Sequence, residues 1–498
     1  MQQQFEKGSL SCLQTVKREP QTQEQTQELR ISDGMPDIGR IIGAWGQVIL
    51  RGKEWQTDGM TINGGTMVWV QYMPEEGGAP QCIESWLPFQ MRWGFPETQH
   101  DGVILTQCFL RSVDARSLSA RKMMIRSNLT VLPWAMERQN FDVYAPQNVP
   151  EDVQLKTVTY PMELPMEAGE KVFSLEETVE LPPSMPRMEK LLSYQLQPQI
   201  TEEKLMNDKV IFRGNGVLHV LYLADDGGVY AWDFELPFTQ YGELDEAYAD
   251  DGTVMIVPCV TALEMEQEEN QLLVKAGLVC QYRVSQRKMV ELVEDAYSPQ
   301  RKVTPNFQDL LIPGILDSNT QLLHPQTGGT VDGMRLTDVQ FLPQPVQMRN
   351  QGEGMNLEIP GQFQMLYYDM DGNLHTAGQR WEQNMTWPAD ANSKMEAILQ
   401  PMGKAQGNFL SGSSQMSADL QMTVETINGT PIPMVTGLEL GEWEEPDPYR
   451  PSLIVRRAQG QTLWEMAKEN GTTVSAIQEA NHLQQEPDQQ QMLLIPVI

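Results

Sequence analysis

The chain has 498 residues, with 67 acidic against 36 basic side chains and a formal net charge of −31. An acidic surface of this kind repels DNA, RNA and anionic membranes. Nucleic acid is therefore not an expected partner. No run of ~18 apolar residues occurs, and the start at Met1 lacks an apolar segment, so neither a membrane span nor a signal peptide is predicted. The five cysteines form no CxxC pair, which indicates a reducing cytoplasm without disulfides or a zinc site.

An internal repeat organises most of the chain. The segment Met35–Ile42 recurs as Met185–Leu192, and Met67–Tyr72 recurs as Val217–Tyr222 at the same offset of 150 residues, which a third segment, Phe363–Tyr367, resembles. So many ordered matches do not arise by chance, and repeats of this size are supersecondary or domain units. The sequence therefore predicts three copies of one unit.

Each copy has the pattern of strands joined by tight hairpins. The tyrosine-bearing runs are rich in β-branched, aromatic and large apolar residues, and glycine-containing turns follow at Glu75–Gly78, Asp225–Gly228 and Met370–Asn373. We expect a mainly β protein of tandem sandwich-like or barrel-like repeats, followed by a small βααβ domain. The predicted division is a flexible tail at 1–9, β-rich repeats at 10–150, 151–300 and 301–440, an acidic proline-rich linker at 441–451 and the small domain at 452–498.

Two segments resemble functional sites, but each has a simpler structural explanation. Asp369–Asn373 resembles the start of a calcium loop, but its glycine comes fourth instead of sixth, so a hairpin turn is favoured. Cys108 and Cys259 fall at near-equivalent repeat positions and read as small core residues rather than paired redox thiols. No nucleophile elbow, phosphate loop or local histidine pair is present, so we expect no catalytic residue, metal or cofactor. The alternative is a glycosidase-like carboxylate pair assembled by the fold, for which the sequence singles out no two residues.

After the prolines of the linker, the pattern changes to a short βααβ unit. Leu453–Val455 predicts a strand, and Thr462 with Glu465 has the spacing of a capping box at the start of a helix. Thr473 is the expected N-cap of a second helix, and Leu493–Val497 predicts a closing strand.

These residues resemble a LysM domain, with Gly460-Gln461-Thr462-Leu463 at the turn where that family usually has Gly-Asp-Thr-Leu. The resemblance implies a shallow groove for N-acetylglucosamine-containing glycans. Carried over, the groove residues are Gly460, Gln461, Thr462, Leu463, Asn481, His482 and Leu483. Their structural alternatives remain open: Thr462 as a helix cap, Asn481 as a helix terminator and Leu463 as core.

The repeats also resemble a known family. Phe173–Leu181, Asp208–Gly214 and Leu236–Phe238 are similar to the DUF3794 or SPOCS domain of clostridial spore-coat morphogenetic proteins. Such repeats followed by a LysM domain resemble the SipL type, the counterpart of the SpoVID encasement protein. The resemblance implies a scaffold of the mother-cell cytoplasm that docks on the forespore surface. It would bind the coat-basement ATPase, of the stage IV sporulation protein A type, and recruit other coat proteins.

Two alternatives to this non-enzymatic scaffold remain. One is a cell-wall protein whose LysM domain binds peptidoglycan, and the other is a glycan-processing enzyme with a catalytic pair inside a repeat. In the resembled family, the LysM domain is implicated in binding a protein partner rather than cell wall. The scaffold interpretation therefore predicts a protein-docking module.

Overall fold

The computed structural model describes residues 2–96, 102–331, 333–350, 354–390, 392–410, 413–444 and 449–497. Strands of the first unit are β1 (Gln2–Gln4), β2 (Glu6–Lys17), β3 (Gln21–Arg30), β4 (Ile38–Gln56), β5 (Gly59–Pro74), β6 (Gln81–Gly94), β7 (Val103–Ser119) and β8 (Lys122–Ala145). Strands of the second unit are β9 (Gln154–Glu180), β10 (Met188–Ala224), β11 (Val229–Tyr248), β12 (Thr253–Glu268) and β13 (Gln271–Tyr297).

The third unit contains β14 (Arg301–Leu310), β15 (Ile315–Leu323), β16 (Gln326–Thr330), β17 (Arg335–Pro343), β18 (Gln347–Asn350), β19 (Gly354–Tyr368), β20 (Leu374–Pro388), β21 (Lys394–Leu410), β22 (Ser413–Ile427) and β23 (Ile432–Trp443). The C-terminal module contains β24 (Leu453–Arg457), α1 (Leu463–Glu469), α2 (Val474–Asn481) and β25 (Met492–Pro496). The prediction of a mainly β chain ending in a βααβ domain is confirmed.

The strands of each unit pair antiparallel in a similar order, and two pairings join different units: β9 with β15, and β1 with β23. In the first unit, β8 pairs with β2, β3 and β7, while β4, β5 and β6 form a separate meander. In the second, β13 pairs with β9 and β12, and β10 pairs with β11. In the third, β22 and β23 take the place of β8, and β17 to β20 form the meander. We propose that each set is one structural repeat, with the boundaries expected from the sequence.

A tyrosine hydrogen bond explains why the two best-matching sequence segments recur together. The hydroxyl of Tyr72 donates to the carbonyl of Pro36 at 3.0 Å, and the hydroxyl of Tyr222 donates to the carbonyl of Pro186 at 3.1 Å. Both rings are buried, where an unpaired hydroxyl would be costly. The bond therefore ties the start of each meander to its central strand.

The predicted hairpin turns are also present. Gly77, Gly227 and Gly372 have φ angles of 81°, 82° and 79°, a region that favours glycine. At the third turn, the Asp369 carboxylate accepts the backbone N–H groups of Asp371 and Asn373 at 2.9 and 2.8 Å. The turn interpretation of this segment is confirmed, since its first carboxylate stabilises the hairpin itself.

The three units close into a ring through equivalent contacts. At each junction, a lysine or arginine near the start of β4, β10 or β17 donates a hydrogen bond to the neighbouring unit. The acceptor is always the first residue of a strand: β20, β6 or β11, respectively. The pairs are Lys190 with the Gln81 side chain at 2.8 Å, Arg335 with the Val229 carbonyl at 3.5 Å, and Arg40 with the Leu374 carbonyl at 2.9 Å. Because the third contact returns to the first unit, the arrangement has approximate threefold symmetry.

Each junction also has a second hydrogen-bonded contact, and the residue types that make it differ among the three junctions. The Trp69 indole N–H donates to Glu84 at 3.0 Å, and the Tyr194 hydroxyl donates to the same carboxylate at 3.3 Å. At the equivalent place, the Gln364 amide donates to the backbone carbonyl of Ala44 at 3.0 Å. The remaining junction uses an ionisable group, His219.

His219 lies between two aspartates from different units. Its Nδ1 is 2.5 Å from Asp233 of its own unit, and its Nε2 is 3.1 Å from Asp338 of the third unit. Lys404 of the third unit also pairs with Asp233. Burial disfavours the charged ring, but the two carboxylates outweigh it and raise the pKa of His219 to about 9.

We predict that this junction weakens at alkaline pH. A histidine whose pKa rises from 6.5 to about 9 on folding stabilises the native state fully below pH 6.5, and that contribution disappears as the pH rises toward 9. The urea midpoint of the native chain should therefore fall over this range. His219→Gln, which copies the residue at the equivalent junction, should lose the dependence, and an unchanged pH profile would contradict the assignment.

A buried ion cluster joins all three units. Nη2 of Arg283, on β13, lies 2.5 and 2.6 Å from the two Glu425 oxygens, and its Nη1 lies 3.8 Å from Glu396. Glu396 also accepts the indole N–H of Trp134 at 2.9 Å and lies 3.6 Å from Nε of Arg18. Burial lowers the pKa of Arg283, but the two glutamates outweigh it and keep the guanidinium charged.

Removing the central cation should destabilise the whole body. Arg283→Met leaves the buried Glu425 carboxylate without its cation, and the loss of one partner of a buried ion pair costs about 3–5 kcal/mol. Arg287→Met, an exposed change four positions along the same strand, should stay within about 0.5 kcal/mol of the native protein. Equal urea midpoints for the two variants would show that the cluster is not needed for assembly.

One predicted connecting segment is wrong where the structure describes it, and the start of another differs by three residues. Within the expected flexible tail at 1–9, Gln2–Gln4 pairs with β23 and Glu6–Lys17 pairs with β8, because their backbone groups complete two sheet edges. The expected linker at 441–451 begins inside β23, which runs to Trp443. Its residues 445–448 lie outside the described part of the chain.

Candidate functional site

The C-terminal module has its own small core. Strands β24 and β25 pair antiparallel, from Leu453 opposite Pro496 to Arg457 opposite Met492. Apolar residues of both helices and of β25 are buried beneath them: Leu463, Met466, Ala467, Ile477, Leu493 and Ile495. The candidate groove residues therefore lie on loops held by a packed βααβ unit.

The first groove segment is a capped helix start. Gly460 has a φ angle of 82°, which turns the chain from β24 toward α1. The Thr462 hydroxyl accepts the backbone N–H of Glu465 at 3.2 Å, and the Glu465 carboxylate accepts the N–H of Thr462 at 2.8 Å. The Glu465 carboxylate accepts from both the backbone N–H and the hydroxyl of Thr462, and these two hydrogen bonds lower the pKa of Glu465. The predicted capping box is confirmed, as is the N-cap Thr473 of α2.

Leu463 and Gln461 are engaged within the module. Leu463 is only 2% exposed, and its backbone N–H donates to the Glu486 carboxylate at 2.8 Å. The Gln461 side chain accepts from Arg456 at 2.8 Å and donates to Glu469 at 3.2 Å. Glu486, from the loop after α2, therefore links the two sides of the groove, and nothing in the local sequence pattern indicated this role.

The second groove segment is partly structural. The Asn481 amide donates to the Leu494 carbonyl at 2.6 Å and accepts the Leu494 N–H at 2.7 Å, so it fixes β25 beside α2. His482 ends α2 in the left-handed region, with a φ angle of 54°, and is exposed. Leu483 packs partly against the module core. Of the seven predicted residues, Gly460, Thr462 and His482 are exposed.

The module also contacts the second unit directly. The Trp464 indole N–H donates to Asp295 at 2.8 Å, and Nζ of Lys468 lies 2.7 Å from the same carboxylate. Burial by itself would raise the pKa of Asp295. The hydrogen bonds from Lys468 and Trp464 outweigh burial, so the pKa of Asp295 is lowered. The Tyr297 hydroxyl donates to the Thr472 carbonyl at 2.9 Å, and its ring meets that of Trp464 edge-on at 4.8 Å.

An apolar face lies on the outer side of the two-stranded sheet of the module. Leu453, Val455, Met492 and Leu494 are 48%, 57%, 53% and 40% exposed. Val455 and Leu494 are direct cross-strand neighbours. Contiguous exposed apolar side chains are typical of protein contact surfaces.

The fold and these surfaces define a β-repeat protein that carries a small binding module. The family model described as the SipL SPOCS domain matches residues 187–267, which cover β10 to β12 of the second unit. The LysM domain model matches residues 458–488. The chain thus carries a SipL-type SPOCS domain and a LysM domain, and this domain content matches a SipL-type protein.

The two domains together indicate a spore-coat morphogenetic protein with coat-protein partners. Both are structural or binding domains, and no enzyme family is among the matches. No curated protein and no solved structure matches the chain. Among the described residues, no helix has both the length and the apolar character that a membrane crossing requires.

We predict that Asp295 couples the module to the second unit. Asp295→Ala removes the hydrogen bonds that this carboxylate accepts from two side chains of the module, Trp464 and Lys468, and charged hydrogen bonds contribute about 1.5–3 kcal/mol each. Hydrogen exchange of the α1 and α2 amides should accelerate about tenfold or more. Asp309→Ala, an exposed change on β14, is the matched control, and equal exchange in both variants would mean that the module is stable without this contact.

Proposed function

We propose that the protein is a non-enzymatic scaffold of the spore coat. In this proposal it acts in the mother-cell cytoplasm, docks on the forespore surface by binding a coat-basement protein through the LysM module, and recruits further coat layers. The basement partner would be a morphogenetic ATPase of the stage IV sporulation protein A type. The observation that carries the proposal is the joint occurrence of a SipL SPOCS domain and a LysM domain in one chain.

Three features of the module support a protein as its ligand. The N–H of Leu463, at the centre of the groove, is already bound by Glu486 within the chain. The outer face around Val455 and Leu494 is apolar, as protein contact surfaces often are at their centre. The Asp295 contact holds this face in a defined place relative to the repeats, which reduces the entropy lost on docking.

We propose a division of roles among the groove residues. Gly460, Thr462 and His482 would contact the partner because they are exposed, and Gln461 and Leu483 would border the contact. Leu463 and Asn481 would support it from within, since one is core and the other fixes β25. Substitutions of these two residues therefore test the stability of the module rather than its binding.

A second candidate function is binding to peptidoglycan, favoured by the LysM match at residues 458–488. In that case an N-acetylglucosamine-containing glycan would occupy the groove between Gly460 and His482. A neutral glycan requires unpaired polar groups in the groove, whereas a protein partner can use the apolar face as well. The two candidates therefore predict different ligands for the same purified chain.

The decisive experiment uses the full chain and one conservative substitution in the groove. His482→Asn removes the imidazole but keeps a residue that tolerates the left-handed region. We expect the native chain to bind the purified coat-basement ATPase and to form a fluorescent ring around the forespore as a fusion. The variant should bind about tenfold more weakly, as expected for one lost contact of about 1.4 kcal/mol.

His324→Asn is the matched control. It makes the same change at an exposed histidine of the third unit, outside the LysM module. It should bind and localise as the native chain does. Retention on purified peptidoglycan without binding to the ATPase would contradict the scaffold proposal and favour the second candidate. Diffuse fluorescence throughout sporulation would contradict the proposed location.

A further inference from the structure

A cavity of about 900 Å³ lies where the three units meet. The first unit lines it with Arg18 and Arg111, the second with Arg283, and the third with Lys394 and Glu396. This volume is within the range of pockets that bind drug-sized molecules. The cavity exists only in the assembled ring, since no single unit supplies its walls.

The charge of the lining is opposite to that of the chain. Five basic side chains face the cavity against one acidic side chain, whereas the chain has 36 basic and 67 acidic residues. The basic residues are Lys17, Arg18, Arg111, Arg283 and Lys394. Acidic residues are nearly twice as common in the chain, so this local excess of cations calls for a ligand of negative charge.

The single acid of the lining is already engaged. Glu396 lies 3.6 Å from Arg18 and 3.8 Å from Arg283, and it accepts the Trp134 indole N–H at 2.9 Å. Glu425 binds the other end of Arg283. These two carboxylates offset the two arginines, and Glu19 pairs with Lys17 at 2.7 Å, so Arg111 and Lys394 remain as surplus charge.

One buried donor beside the cavity is unsatisfied, and two cations of the lining are unpaired. Nε of Arg283 is buried without a hydrogen-bond acceptor among the described residues. Neither Arg111 nor Lys394 forms an ion pair with another described residue. Unpaired guanidinium and ammonium groups favour a bound carboxylate or phosphate.

The rest of the wall is largely apolar. Phe109, Leu132, Met348, Met355 and Leu399 all face the cavity. An inorganic ion would leave these side chains in contact with water only. A ligand that matches both parts of the wall has an anionic head and an apolar body.

We propose that this cavity binds an organic anion, a carboxylate or phosphate group carried on an apolar body. The head would lie between Arg111 and Lys394, and the body would lie against the methionines and leucines. Because the three units contribute together, a bound ligand would stabilise the closed ring. This proposal is independent of the scaffold function and of the LysM groove.

Anilinonaphthalene sulfonate, an anionic aromatic dye, provides a direct probe with the full native chain. We expect saturable fluorescence enhancement with one dye per chain. Octanoate or octyl phosphate should displace it, and whichever does so at lower concentration identifies the preferred head group. Octanol, which has the same apolar body without charge, should be at least about tenfold weaker, corresponding to about 1.4 kcal/mol.

Charge reversal locates the site. Arg111→Glu/Lys394→Glu should lower dye affinity about tenfold or more, since it replaces both surplus cations with acids. Lys122→Glu/Arg287→Glu makes the same change in net charge at exposed residues outside the cavity and should leave the affinity unchanged. Thermal unfolding of each variant shows whether the ring remains folded.

Three results would overturn the proposal: no saturable dye binding to the native chain, equal displacement by octanol and octanoate, or equal loss of affinity in the cavity and control variants. If the cavity variant unfolds, Arg111→Gln and Lys394→Gln are measured singly. These changes remove charge without introducing an acid, and unchanged affinity in both would likewise reject the site.

Discussion

The body of this protein depends on one buried cation. Arg283 of the second unit is 2% exposed and is held by Glu425 and Glu396 of the third, while Trp134 and Arg18 of the first contact the same cluster. A charge out of water is tolerated only with partners close by. The three units must therefore assemble together, because none of them alone can satisfy this residue.

Ring closure gives the repeats roles that an open array would not have. The same cation position, occupied by Arg40, Lys190 and Arg335, makes the contact at every junction. The neighbouring contact across the junction joins Tyr194 to Glu84, His219 to Asp338, or Gln364 to the Ala44 carbonyl. Approximate symmetry thus sets the architecture, and local differences make each junction distinct.

The C-terminal module is joined to the three β units by the polypeptide chain and also by side-chain contacts with the second unit. Trp464 and Lys468 bind Asp295, so two surfaces of the LysM unit have different uses: one is packed against the second repeat and the other is open. Groove residues divide in the same way, with Leu463 buried and His482 exposed. A second attachment through the open face would add to any contact made by the repeats, since linked contacts reinforce each other.

The amino-acid sequence by itself determined the features that depend on neighbouring residues. The Tyr72 and Tyr222 strands, the Gly372 turn, the capping box at Thr462 and the βααβ order all follow from local spacing. Only the tertiary structure decided that residues 2–9 complete sheets, that Glu486 links the two groove loops and that Asp295 binds Trp464. The physical reason is that a buried charge or donor takes its partner from whatever segment the fold brings close. Arg283 and Glu425 are 142 residues apart, and no periodicity in the chain connects them.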